Sequence, residues 1–144
     1  MLGPWYATAL FWRPRLALLV NERTLLPVLL PLAPARSLPA RVPDEIATVL
    51  DAHQVPKTFI ADELRHMQDY RFATTTNRSV VGIMNEFTKL AGIYTDDSAH
   101  PNLVTLSLRL ATTRGLLYAK NVSPDRELTA LVRSIAEAEA AGAT

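Results

Sequence analysis

Asn77-Arg78-Ser79 stand where a run of hydroxyl and amide side chains, Thr74-Thr75-Thr76-Asn77, meets an apolar stripe with helical spacing. A helix start leaves backbone N–H groups unpaired and carries the positive end of the helix dipole. With the Arg78 guanidinium beside it, such a segment could hold a phosphate or a partner's carboxylate. The same residues also serve structure: Asn77 or Ser79 can cap the helix, a role worth roughly 0.5–2 kcal/mol, and Arg78 can pair with a carboxylate. Asn85 lies between Met84 and Phe87 and is expected at the edge of the buried stripe, where its amide either satisfies sheet or loop backbone or orients a ligand. Asn77, Arg78, Ser79, Asn85 and Glu86 form the candidate set for a ligand or partner.

Glu63-x-x-His66 puts a carboxylate and an imidazole one helical turn apart, with His53, Asp62 and Asp69 near in sequence. Two ligands fall short of the three or four protein groups a divalent metal takes, and the paired-histidine pattern of metalloproteases is absent, so no metal is assigned. His100, beside Asp96 and Asp97, reads as a solvated loop residue. No Gly-x-Ser-x-Gly elbow exists, and the five glycines, at 3, 82, 92, 115 and 142, are too scattered for a phosphate-cradling loop. The chain has no cysteine, which excludes disulfides, thiolate zinc sites and cysteine nucleophiles and fits a reducing cytoplasm. No catalytic residue and no cofactor is assigned. The enzymatic alternative is a metal-dependent hydrolase or nuclease built on Glu63, His66 or Glu86.

Fifteen Lys+Arg against fourteen Asp+Glu leave a formal charge of +1, giving no global field toward a polyanion. Nucleic-acid binding would have to rest locally on Arg13, Arg15, Arg71 and Arg78, with Trp5, Tyr6, Phe11 and Trp12 as stacking surfaces; four aromatics on strands of a small domain more commonly pack a core. The 144 residues, 49% hydrophobic and 20% charged, suit one domain spanning 1–144. Asn21-Glu22-Arg23 splits the apolar N-terminal region, and Pro27, Pro31 and Pro34 interrupt its second half. Neither piece crosses a bilayer, and the chain reads as soluble and unprocessed.

The elements that must position these residues follow from periodicity. Trp5–Trp12, Leu16–Val20 and Thr24–Leu30 read as a three-strand antiparallel meander, with Pro27 making the third run irregular or an edge. Leu32–Val42 reads as a loop. A helical hairpin covers Pro43–Gln68, hinged at Pro56, its second helix presenting Phe59, Ile60, Leu64 and Met67 inward and Asp62, Glu63 and Arg65 outward. Tyr70–Thr74 alternates as a fourth strand. Ser79–Tyr94 is the central helix, with Val80, Ile83, Met84, Phe87, Leu90, Ala91 and Tyr94 on one stripe. Asn102–Thr113 fits either period and is read as a helix capped by Asn102. Ser123 and Pro124 open the last helix, which is expected to fray from Ala136.

Three stretches together resemble an uncharacterised bacterial family of small domains found in plasmids and insertion elements and classed as a domain of unknown function. They are Trp5-Tyr6-Ala7 with Leu16–Asn21 and Thr24-Leu25-Leu26-Pro27-Val28, then Asn77 through Phe87, then Leu106-Ser107-Leu108-Arg109-Leu110. The middle motif, Arg-Ser-Val-x-Gly-x-Met-Asn-[Asp/Glu]-Phe in that family, maps onto Arg78, Ser79, Gly82, Asn85 and Glu86. The resemblance implies a fold and a genomic setting, and no reaction, cofactor or ligand. Relatives carry a further strand ahead of the Trp, which implies that this sheet lacks one strand and has an open edge that would invite a partner strand or self-association. They also carry Cys-Gly-Pro where this chain has Arg114-Gly115-Leu116, so any role of that cysteine is lost here.

The expectation is therefore an α+β domain, an antiparallel sheet of about four strands covered by four or five helices. Its expected role is a cytoplasmic binding or interaction module, an accessory protein of mobile elements, acting on a protein or an anionic ligand.

Overall fold

Three short apolar runs separated by turn-forming residues pair as a meander: β1 (Trp5–Leu10), β2 (Leu16–Asn21) and β3 (Pro27–Pro31), antiparallel in the order β1-β2-β3. The computed structural model describes residues 2–10, 15–67, 78–95, 102–113 and 123–142, with the side chains of 78, 79 and 95 outside that description. The expected fourth strand, Tyr70–Thr74, lies outside the described residues, as do Phe11, Trp12, Arg13, Arg71 and the Asp96–His100 loop; among those described the sheet has three strands. Leu16 pairs with Leu10 on one side and Pro31 on the other, and Val20 with Tyr6 and Pro27.

Among the described residues the third strand is regular and stands at an edge of the sheet. Pro27 and Pro31 share the parity of Leu29 in the β2 register, and Leu29 turns its N–H outward to a helix. Both prolines thus stand where a missing N–H breaks no bond to β2. The β2–β3 turn is held from inside. Fully buried Asn21 donates through Nδ2 to Leu2 O (3.0 Å) and Pro4 O (3.4 Å), and its Oδ1 accepts from Arg23 N (3.1 Å), Thr24 N (3.0 Å) and Thr24 Oγ1 (3.1 Å). This network sustains a left-handed Leu25 at φ 59°, a conformation costly for a branched side chain.

Five α-helices follow among the described residues: α1 (Leu38–Ala52), α2 (Lys57–His66), α3 (Arg78–Thr95), α4 (Leu103–Ala111) and α5 (Pro124–Gly142). The α1 helix begins five residues before the expected Pro43, after a 3-10 turn at Ala35–Ser37. Pro39 falls in its first turn, where no N–H is required. Arg41 ties the connection down: Nη1 donates to Pro31 O (2.7 Å), Nη2 to Leu32 O (3.2 Å) and Pro34 O (3.1 Å), and Nε to Ser37 Oγ (3.0 Å). Buried Val42 extends the Ile46, Val49, Leu50 stripe backward by one turn, and Pro43 is accommodated inside the helix.

The α4 helix resolves the ambiguous period as expected, with Asn102 Oδ1 accepting Thr105 N–H at 3.0 Å. At α5 the Ser123 hydroxyl donates to the Asp125 carboxylate, which also accepts Arg126 N–H at 2.8 Å. The helix continues through the exposed Ala-Glu tail to Gly142, past the expected fraying point.

All six residues of β2 are buried because the sheet is covered on both faces. Ala17, Leu19, Val28 and Leu30 join a core with Val42, Ile46, Val49 and Leu50 of α1, Phe59 and Ile60 of α2, and Leu128 and Val132 of α5. Leu16, Leu18, Val20 and Leu29 join a second core with Val80, Ile83, Met84 and Phe87 of α3 and Leu106 and Leu110 of α4. Packed beside β3, the α4 helix places Leu106 and Leu110 in one core and Ala111 in the other.

Candidate functional site

The α3 helix exists because its inner stripe is strongly apolar. Val80, Ile83, Met84, Phe87 and Ala91 are buried against the sheet and α4, and each large side chain so buried contributes about 1.5–3 kcal/mol. That outweighs the two glycines, 82 and 92, each costing about 1 kcal/mol in a helix interior. Arg109 of α4 stacks its guanidinium 3.7 Å from the Tyr94 ring centre, fixing the C-terminal part of α3 against its neighbour. Sequence reasoning missed this contact; the two residues stand on different helices, and only tertiary packing joins them.

The opposite face of α3 carries Val81, Gly82, Asn85, Glu86, Lys89 and Ile93, all exposed. Asn85 corrects the expectation of a half-buried amide. It stands one turn beyond Val81, and at ~100° per residue that places it on the outer surface. No hydrogen bond of its side chain to another described residue is seen. Glu86 reaches Lys89 at 3.8 Å, with the two side chains 49% and 73% exposed, a geometry worth little in water. A Cβ added at Gly82 would meet nothing within 4 Å, so no described neighbour requires glycine there. The large hydrophobic side chains that are exposed among the described residues, Val81 at 40% and Ile93 at 64%, both lie on this face.

Of the remaining candidate residues, Asn77 and the side chains of Arg78 and Ser79 lie outside the described residues. The first helical residue is Arg78, which places Ser79 inside the first turn and not before it. Asn85 and Glu86 share the outer face.

Glu63 and His66 do not converge. Glu63, expected outward, is 2% exposed and its Oε2 accepts Leu2 N–H at 3.1 Å. It follows Phe59 and Ile60 by four and three residues and so shares their inward face. His66 is exposed, with Nδ1 2.8 Å from Asp62 O. Among the described residues no group of three or more His, Cys, Asp or Glu could hold a metal ion. A groove of about 320 Å³ between α1 and α2 is lined by Ala47, Thr48, Asp51, Lys57 and Ile60. The Thr48 hydroxyl already donates to Asp44 O at 2.9 Å, and no histidine lines the groove as a base beside Asp51 and Lys57.

Trp5 packs on the α1/α2 core and Tyr6 on the α3/α4 core, so these two aromatics point to opposite faces of the sheet and form no joint stacking surface. No helix among the described residues is long and apolar enough to cross a membrane.

A family model described as a domain of unknown function (DUF6933) matches residues 1–127. The chain belongs to that family. The matched span holds the three strands, α1 to α4 and the first turn of α5, and therefore the whole outer face of α3 in this DUF6933 domain. No curated protein and no solved structure matches the chain.

Proposed function

We propose that this DUF6933 domain is a non-catalytic protein-interaction module whose contact surface is the outer face of α3. One observation carries the reading: beside Glu86 and Lys89, that face carries four residues that suit solvent or an isolated helix poorly. Val81 and Ile93 are exposed, Gly82 has no described neighbour to accommodate, and Asn85 is a weak helix former with no described partner. A face selected only for solubility would carry Lys, Glu, Gln or Ala at those positions. The engagement of Glu63 with Leu2 and the solvent position of His66 weigh against the metal-dependent hydrolase alternative. The resemblance to a bacterial family found in plasmids and insertion elements favours a cytoplasmic accessory role in such elements.

The test is site-specific photo-cross-linking in cells, with the cross-linker at residue 85 and a control at the exposed Thr129 of α5. A discrete protein adduct from position 85 and none from position 129 is the expected result. No adduct from position 85, or identical adducts from both, would remove α3 as the contact surface.

A further inference from the structure

The two edges of the sheet are built differently. Along β3, Pro27 and Pro31 present no N–H outward and Ser107 takes the N–H of Leu29, devices that keep another strand away. The β1 strand, Trp5 to Leu10, contains no charged residue, proline or glycine. Glu22 N donates to Pro4 O at 2.9 Å, and the next pair in the register is Trp5 with Asn21. Alternation along an antiparallel ladder therefore turns the backbone groups of Tyr6, Thr8 and Leu10 toward β2 and those of Trp5, Ala7 and Ala9 away from it. Among the described residues no backbone group meets these three on their outward side.

We propose that this edge takes a second copy of itself, β1 against β1, antiparallel about a two-fold axis at Ala7. The inference is independent of the α3 reading. With the axis at Ala7, Trp5 pairs with the partner's Ala9 and Ala7 with the partner's Ala7, so that every outward residue of β1 exchanges both backbone bonds with its counterpart. An axis at Tyr6 or Thr8 would align only part of that set within the strand. Joining the two sheets doubles the three strands of one copy and brings the sheet to the commonest size, about 4–6 strands.

An isologous contact requires a patch that complements itself, and β1 read backward does so in size. Trp5, Ala7 and Ala9 share the sheet face of Leu19 and Ala17, and Tyr6 and Thr8 that of Val20 and Leu18. Across the axis the Trp5 ring lies beside the partner's Ala9 on one face, and Tyr6 beside the partner's Thr8 on the other. Each large ring meets a small side chain, the kind of cross-strand pair that stabilises a sheet. Because the strand is uncharged, no like charges meet at the axis. Ala7 is the exposed residue of the strand, so the position on the axis is open to a neighbour. Two strands of this length form an interface of the small class, below about 1,200 Å², so the dimer is weak and concentration-dependent.

Sedimentation velocity on the full chain from about 10 μM to about 1 mM spans the dissociation constants of such interfaces. The expected result is a monomer–dimer equilibrium. Ala7→Lys and Ala7→Glu should each shift it at least tenfold toward monomer, since either places like charges directly opposite one another. At an exposed position neither should alter the Tm of the dilute monomer. An equimolar mixture of the two variants should associate more tightly than either alone, which happens only where residue 7 meets its own copy. A chain that stays monomeric throughout overturns the inference. So does a dimer that neither charge weakens, as one built on α3 would be, or a mixture no tighter than its components. The adduct from residue 85 reports on α3 alone, so the failure of either reading leaves the other to its own test.

Discussion

Ser107 of α4 accepts the Leu29 N–H at 2.9 Å while donating its own hydroxyl proton to Leu103 O at 2.8 Å. Leu29 lies on β3 and directs this N–H away from β2, so a helix side chain closes a strand edge that would otherwise be left unsatisfied in the interior. Ser107 is fully buried, and water does not substitute readily. Ser107→Ala should cost roughly 1–3 kcal/mol, the desolvation penalty of an orphaned buried donor, with little loss of packing volume. Urea unfolding at equal m-value measures it; a loss under about 0.5 kcal/mol would show that the edge finds another acceptor.

The outer face of α3 gives the opposite sign. Because a Cβ at Gly82 meets no described atom within 4 Å, Gly82→Ala should stabilise the monomer by about 1 kcal/mol, and exposed Asn85→Ala by a few tenths, from helix propensity alone. Both are measured by thermal and urea unfolding at low protein concentration, where self-association does not contribute. Destabilisation by more than about 1 kcal/mol at either position would mean that the fold itself uses the motif, as a half-buried Asn85 would have required.

These residues also show what a sequence can and cannot reveal. The meander, the inner stripe of α3 and the Asn102 cap were legible because each is a local pattern: turn residues between apolar runs, a 3.6-residue period, an amide at a helix start. Asn85 is misleading in the sequence because its neighbours Met84 and Phe87 are buried, although rotation by one position carries a side chain off the stripe. Proline marks first turns and so points to Pro43 as the start of α1, yet Val42 already belongs to the stripe and Arg41 donates to the carbonyls of Pro31, Leu32 and Pro34. Ser107 and Glu63 were beyond sequence reasoning for another reason. Their partners, Leu29 and Leu2, are 78 and 61 residues away, and no local period encodes that.

The C-terminal end of α1 offers a backbone test. Gln54 N donates to Asp51 O at 2.9 Å and Val55 N to Leu50 O at 3.1 Å, the pair of bonds that closes a helix through a left-handed residue. That residue is Gln54, at φ 64° and exposed. The conformation costs a residue with a Cβ about 1–2 kcal/mol, partly offset by the larger unfolded-state freedom of glycine. Gln54→Gly should therefore raise stability by roughly 0.5–1 kcal/mol, read as a higher urea midpoint. A lower midpoint would mean that the Gln54 side chain contributes contacts that outweigh its backbone strain.

His53, one residue earlier, makes stability depend on pH. Burial holds its pKa below the ordinary 6.5, and the negative charge of Asp125 opposes that shift without cancelling it. Its Nε2 is buried without a hydrogen-bond partner among the described residues, so a proton added there becomes a donor with nothing to receive it. The folded state therefore binds fewer protons than the unfolded state once pH falls below 6.5. The contribution is fully present above that pH and is lost progressively as pH drops from 6.5 through the lowered folded-state value. The difference in Tm between wild type and His53→Gln, followed from pH 8 to pH 5, isolates this group from carboxylates, which titrate near 4. The wild type should lose ground to the variant only on the acid side. Asp125→Asn, by removing the opposing charge, should steepen the loss while keeping an oxygen to accept Arg126 N–H. A flat difference profile for His53→Gln would show that His53 becomes charged in the folded protein as readily as in the unfolded chain.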